Sequence, residues 1–193
     1  TTGTQNVIIG GLAGDALTTP SNNIAVGSSA LSSDTKGGRS VAIGSSALAT
    51  QNLTTTTNVY NVAVGFTAGT SITTGIQNTI IGGQAGDALT DADHNVAVGY
   101  AALTDDTLGS KSVAIGRAAL FTQNFTTATD AHNVGVGYNA GLSVTTGTHN
   151  TFVGGLVGDA LTVGTGNIGV GYAALSSDTQ GSKSVAIGRA ALN

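Results

Sequence analysis

Apolar residues along this chain come in short alternating bursts, each closed by a glycine. "NVAVG", "SVAIG" and "NIGVG" are examples. Alternation with a period of two predicts β-strands, and the glycine spacing would end any helix. A nine-residue motif, Asn/Ser-x-x-Val/Ile-Gly-x-x-Ala/Val-Gly/Leu, fits the chain eleven times. It begins at Asn6, Asn23, Ser40, Asn61, Asn78, Asn95, Ser112, Asn133, Asn150, Asn167 and Ser184. The intervals are 17, 17, 21 and 17 residues, so four units make a 72-residue super-repeat. Such a period is too short for helix-pair repeats and too long for a heptad. Each unit therefore reads as one coil of an all-β solenoid with two short strands and two turns, and the chain as a single repeat domain over 1–193. Its super-repeats run 6–77, 78–149 and, incomplete, 150–193. Eleven coils at ~4.8 Å each predict roughly 50 Å along the axis.

With the first motif residue as position 0, positions +1 and +3 are Val or Ile except at Thr79 and Thr151. Position +4 is Gly in every unit, which points to a backbone geometry that a Cβ forbids. Position +2 is Ala or Gly except at Ile8, Ile80 and Phe152, and those three units alone carry Gly at +5 (Gly11, Gly83, Gly155). That pairing reads as local volume compensation. Units ending in Leu carry Asp or Gln at +11 (Asp34, Gln51, Asp106, Gln123, Asp178), and the others carry Leu, Ile or Val there. The core then takes one large side chain per coil, from +8 or +11. Both faces of the first strand are apolar, and a thin roll buries only one of them. The other needs a partner, and three rolls around an axis supply it. The +2 column, with Ala97, is read as turned to that partner.

Composition narrows the picture. Of 193 residues, 8% are charged, 40% are apolar, and Cys, Met, Trp and Glu are absent. That apolar share argues for order rather than disorder. The net charge of −4 speaks against nucleic-acid binding. No apolar run reaches membrane-spanning length, and "TTGTQNVIIG" lacks the basic region of a signal peptide. No polar cap closes either end, which reads as a segment of a longer fibre or as end-to-end stacking.

Candidate chemistry is sparse, and no catalytic residue or cofactor is expected. Asp15, Asp87 and Asp159 recur every 72 residues, four coils apart, too far for a glycosidase pair. Asp91, Asp93 and His94 form the one dense titratable cluster and are weak metal candidates, with a solvated turn as the plainer reading. His94, His132 and His149 share the column before the motif, position −1. Asp34–Arg39, Asp106–Lys111 and Asp178–Lys183 read as surface ion pairs, and Tyr100/Arg117 and Tyr172/Arg189 as cation–π pairs on adjacent coils. A threonine column at +12 raises an ice-binding solenoid as an alternative, beside a self-stacking filament subunit and a polysaccharide-processing β-helix. The extra residues of the two 21-residue units fall within 53–60 and 125–132 and are expected to project. Tyr60, Phe121, Phe125, Asp130 and His132 lie in or beside these turns and are the candidate receptor contacts, with folding back as plugs the plainer alternative for the aromatics.

The phrases "SVAIGSSAL" and "SVAIGRAAL" resemble the head repeats of YadA-like trimeric autotransporter adhesins. "NTIIGGQAG" and "NTFVGGLVG" look more like repeats of bacteriophage tail-fibre shafts. The resemblance implies a left-handed parallel β-roll that assembles as a homotrimer. It also implies an extracellular, non-catalytic role as shaft or head, attaching to a host-surface protein or glycan at a cell surface or virion.

Overall fold

The structure is a computed structural model and describes residues 2–193. It contains no helix among these residues. Eleven three-residue strands, from Val7–Ile9 in coil 1 to Val185–Ile187 in coil 11, form one parallel sheet. Register is strictly position to position: Val7 faces Ile24, Val96 faces Val113, and Ile168 faces Val185. The chain is a β-solenoid of eleven coils.

A second strand in every coil was expected, but it is absent from most. Among the described residues, paired second strands occur only beside the two long coils, where Gly37–Gly38 pairs with Thr57–Asn58 and Gly109–Ser110 with Thr129–Asp130. Positions −1, +6 and +8 sit at φ near +50 to +65°, as at His94, Ala101 and Leu103. Such left-handed residues make the corners of every coil. Coil-to-coil hydrogen bonds continue through these turns, as from Leu103 N–H to Ala119 O at 3.0 Å.

The two faces of the strand are assigned the other way round from the sequence reading. Position +2 points inward, and Ala25, Ala42, Ala63, Ala97 and Ala114 are fully buried. Positions +1 and +3 point outward and are half-buried or exposed. The interior is already filled from the opposite wall by Leu31, Leu48, Leu103 and Leu120 at +8 and by Ile72 and Leu89 at +11. Only a Cβ fits at most +2 sites. Ala97→Arg is therefore a core lesion and not an interface lesion.

The volume compensation also has a different partner. Phe152 at +2 is flanked in its own column by Gly135 and Gly169, and Gly158 lies against its ring. The glycines at +5 lie on the outer surface and do not make room for it. Gly83 instead lies under the Tyr100 ring of the next coil, and Gly155 under Tyr172.

An asparagine ladder holds the coils shut. In the regular coils the position-0 side chain is buried, and its Nδ2 donates to the carbonyl fourteen residues later in the same coil. Asn78 to Ala92 O (2.7 Å) and Asn95 to Gly109 O (2.8 Å) are examples. Its Oδ1 accepts the position-0 N–H of the next coil, as from Asn95 to Asn78 at 2.9 Å. Each asparagine thus closes its own coil and binds the next. Full pairing is what makes a buried amide tolerable.

Candidate functional site

The serine-headed long coils cannot use that clasp, and a three-coil polar network replaces it. In coil 7, Gln123 Nε2 donates to Asp106 Oδ2 (2.5 Å) and Ser112 Oγ (3.0 Å). Gln123 Oε1 accepts from Asn133 Nδ2 of coil 8 at 2.8 Å. Asp106 Oδ1 accepts the N–H groups of Gly109 (3.0 Å) and Phe125 (3.1 Å). Asp34, Gln51, Ser40 and Asn61 repeat the arrangement in coils 2 to 4. Asp34 and Asp106 are fully buried. The surface ion pairs expected from Asp34 and Asp106 to Arg39 and Lys111 therefore do not form. Both carboxylates turn inward to supply acceptor-only oxygens for backbone and glutamine donors. Burial raises the Asp106 carboxyl above the usual carboxylate range, against the opposing pull of the Gln123 and backbone hydrogen bonds.

The long coils carry the candidate receptor residues, and the structure separates them. Thr54–Thr56 and Thr126–Ala128 project into solvent. Leu53 and Phe125, which precede them, fold into the roll and are buried. Phe121 lies half-buried on the opposite wall of the coil. Tyr60, Asp130 and His132 are exposed. Val59 and Ala131 act as bulge residues: Ala131 donates to Ser110 O of the coil below and accepts from His149 N–H of the coil above. One extra residue is absorbed in the bulge and three form the projecting loop.

The position −1 edge gathers Asp130 with the cations. Lys111 Nζ bonds Asp130 Oδ2 at 2.5 Å, the one salt bridge among the described residues. The rings of His132 and His149 lie 5.2 Å apart. The Lys111 hydrogen bond holds the Asp130 carboxyl below its usual value, with smaller pulls from the Lys111, His132 and His94 charges. Lys111→Ala is expected to raise the Asp130 titration midpoint, followed by NMR of its side-chain carboxyl, and to lower the thermal midpoint only slightly. This pair's small contribution is present above the unfolded carboxylate pKa and is lost as pH falls through the lowered folded value.

Asp91, Asp93 and His94 are not brought together as a ligand set. Asp91 Oδ1 accepts the Thr74 hydroxyl (2.5 Å), Asp93 Oδ1 accepts the Ile76 N–H (2.7 Å), and His94 is exposed. No three metal-ligating side chains of His, Asp, Glu or Cys gather among the described residues. Asp87 and Asp159 lie on the +9 wall. Burial raises both carboxyls, and Asp105 adds a smaller charge repulsion at Asp87.

The +12 threonines use their hydroxyl donors within the fold. Thr18, Thr90 and Thr162 donate to the main-chain carbonyl of the next coil at 2.7–3.0 Å. Each such hydroxyl spends its one donor on the fold and keeps only its acceptor lone pairs for solvent.

The longest continuous surface feature is the outward sheet face. Twenty Val and Ile side chains and two Thr stand in two straight columns along all eleven strands. At ~4.8 Å per strand and ~3.3 Å per residue the face covers roughly 500 Å². That is near the largest apolar patch an ordinary monomer exposes, about 300–600 Å². Cations cluster at the two ends of its strands: Arg39, Lys111 and Lys183 at −1, and Arg117 and Arg189 at +5. The cation–π pairs expected from the sequence are present. Arg117 lies 6.0 Å from the Tyr100 ring and 5.6 Å from Tyr138, and Arg189 lies 6.0 Å from Tyr172. A further pair, Arg39 on Tyr60 at 5.6 Å, follows from the same column rule applied at −1. No known family model, curated protein or solved structure matches the chain.

Proposed function

We propose that this chain is a non-catalytic structural segment of an extracellular fibre, assembled as a homotrimer and used as the shaft or head of a surface-attachment organelle. The observation that carries this reading is the continuous Val/Ile face on the outside of the sheet. A face of this length has no intramolecular partner, and burying it stabilises association by about 25 cal/mol per Å² of apolar surface before the cost of ordering. Straight, unbroken columns suit a partner of the same pitch, and another copy of this chain has that pitch by construction. The carboxylates support a scaffold role, because Asp34 and Asp106 are committed to backbone and glutamine donors inside the roll.

Sedimentation equilibrium tests the assembly. The wild type is expected at three times 18.7 kDa. Val96→Lys with Val98→Lys places two charges on the outer face of a central strand and is expected to give a folded monomer with near-native circular dichroism. A wild-type monomer at micromolar concentration refutes the trimer, and so does a charged variant that still assembles.

A further inference from the structure

The +5 column contains a regularity that the coil repeat alone does not require. Phe66, Tyr100, Tyr138 and Tyr172 occupy it in coils 4, 6, 8 and 10, every second coil without exception over that span. Their exposures are 61%, 54%, 52% and 54%. Between them stand Gly83, Arg117 and Gly155, never another bulky apolar residue. Two strand spacings separate successive rings, roughly 9.6 Å. The column is rigid: Phe66 O, Tyr100 O and Tyr138 O each accept a ladder hydrogen bond from the next coil at 2.9–3.0 Å.

Internal stacking explains part of this row. Arg117 bridges Tyr100 and Tyr138. Phe66 has no such support, since its column neighbours are Ser45 and Gly83. All four residues are left more than half exposed, in a straight line.

We infer that this row is a binding track for an extended β-1,4-linked glycan, the ligand for the attachment role proposed above. In such a chain successive sugars are flipped, so every second pyranose presents the same face in the same direction. Its two-sugar period is close to two strand spacings. Pyranose C–H groups carry partial positive charge and rest on the negative face of aromatic rings. Arg117 and Arg189, beside the rings, place guanidinium donors within reach of sugar hydroxyls. Gly83 and Gly155, under the Tyr100 and Tyr172 rings, place no side chain in the line between successive rings.

The experiment is depletion binding of the wild-type assembly to insoluble cellulose and chitin, with an insoluble α-1,4-glucan as the control. Wild type is expected to bind a β-1,4-linked solid at least tenfold more strongly than the control. Tyr100→Ala/Tyr138→Ala/Tyr172→Ala should lose at least tenfold. A second variant, Arg117→Tyr with Tyr138→Arg, keeps the composition but breaks the two-coil period, and it should lose binding comparably. Both variants are checked for native circular dichroism and for unchanged sedimentation. The inference is overturned if wild type shows no preference for β-1,4 chains, or if the exchanged variant binds as well as wild type. A monomeric wild type that binds the glycan refutes the trimer alone, whereas a trimer that does not bind refutes the track alone.

Discussion

Replacing Gly99 with alanine is expected to abolish the cooperative fold. Gly99 occupies position +4 of coil 6, at φ +136°, a backbone region effectively reserved for glycine. A Cβ there would lie 2.5 Å from the carbonyl oxygen of Gly116 and 2.6 Å from its carbonyl carbon. Both atoms are backbone of the next coil, and the same relation recurs up the stack, as from Gly116 to Gly137. The coil cannot move away without pulling apart the ladder on both sides. The strained φ alone costs about 1–3 kcal/mol, and the clash adds to it. That sum is a large part of the ~5–15 kcal/mol that holds an ordinary domain together. Gly83→Ala is the matched control. Its Cβ would meet only the Tyr100 ring at 3.7 Å, so its effect should lie within about 0.5 kcal/mol. Thermal melts followed by circular dichroism decide between them. Equal melting temperatures for the two variants would refute this account of the glycine column.

Gln123→Leu is the second large effect. It strands Asp106 Oδ2 and leaves one Nδ2 hydrogen of Asn133 without its glutamine partner, both in a fully buried layer. Leaving a buried hydrogen-bonding group without its partner costs about 1–3 kcal/mol, and more where the group is charged. The loss should depend on pH with a defined sign. Burial already raises the Asp106 carboxyl, and removing the Gln123 donor raises it further. A raised folded pKa means that the folded state holds the proton more tightly, so the neutral form favours folding. Relative to wild type, the variant should recover stability as pH falls from neutral toward the ordinary carboxylate range near 3.9. Asp106→Leu/Gln123→Leu should lose less than the sum of the single changes, by about 1 kcal/mol or more. Urea titrations at neutral pH and at pH ~4.5 measure both expectations.

The coil count, the strand position and the glycine at +4 were all legible in the sequence, because each repeats in register and has a single stereochemical cause. The inward face was not. At +2 the chain has Ala or Gly in eight coils of eleven, at +1 and +3 mostly Val or Ile, and the common expectation places larger residues inside. A roll this thin reverses that expectation, because Leu31 or Ile72 from the opposite wall already fills the space. The buried Asp34 and Asp106 were misplaced for a related reason, since a charge in a turn is ordinarily solvated. The contrary signal was their column: +11 alternates between Leu, Ile or Val and Asp or Gln, and its apolar members are core. The aromatic row was visible as Tyr100/Arg117 and Tyr172/Arg189 pairs, but its two-coil period emerges only when Phe66 and Tyr138 are set in the same column.

The Asp106–Gln123–Asn133 network spans coils 6, 7 and 8, and its equivalent spans coils 2, 3 and 4. This sets how such a chain can change length by recombination. Inserting or deleting one 17-residue coil inside either network separates an acceptor from its donor and strands buried charge. A crossover displaced by 72 residues restores every donor to an equivalent acceptor, since each coil contacts only its neighbours. Length changes within these spans should therefore come as whole four-coil blocks, in steps of roughly 19 Å, whereas single coils can be gained or lost only outside them, as at coil 5.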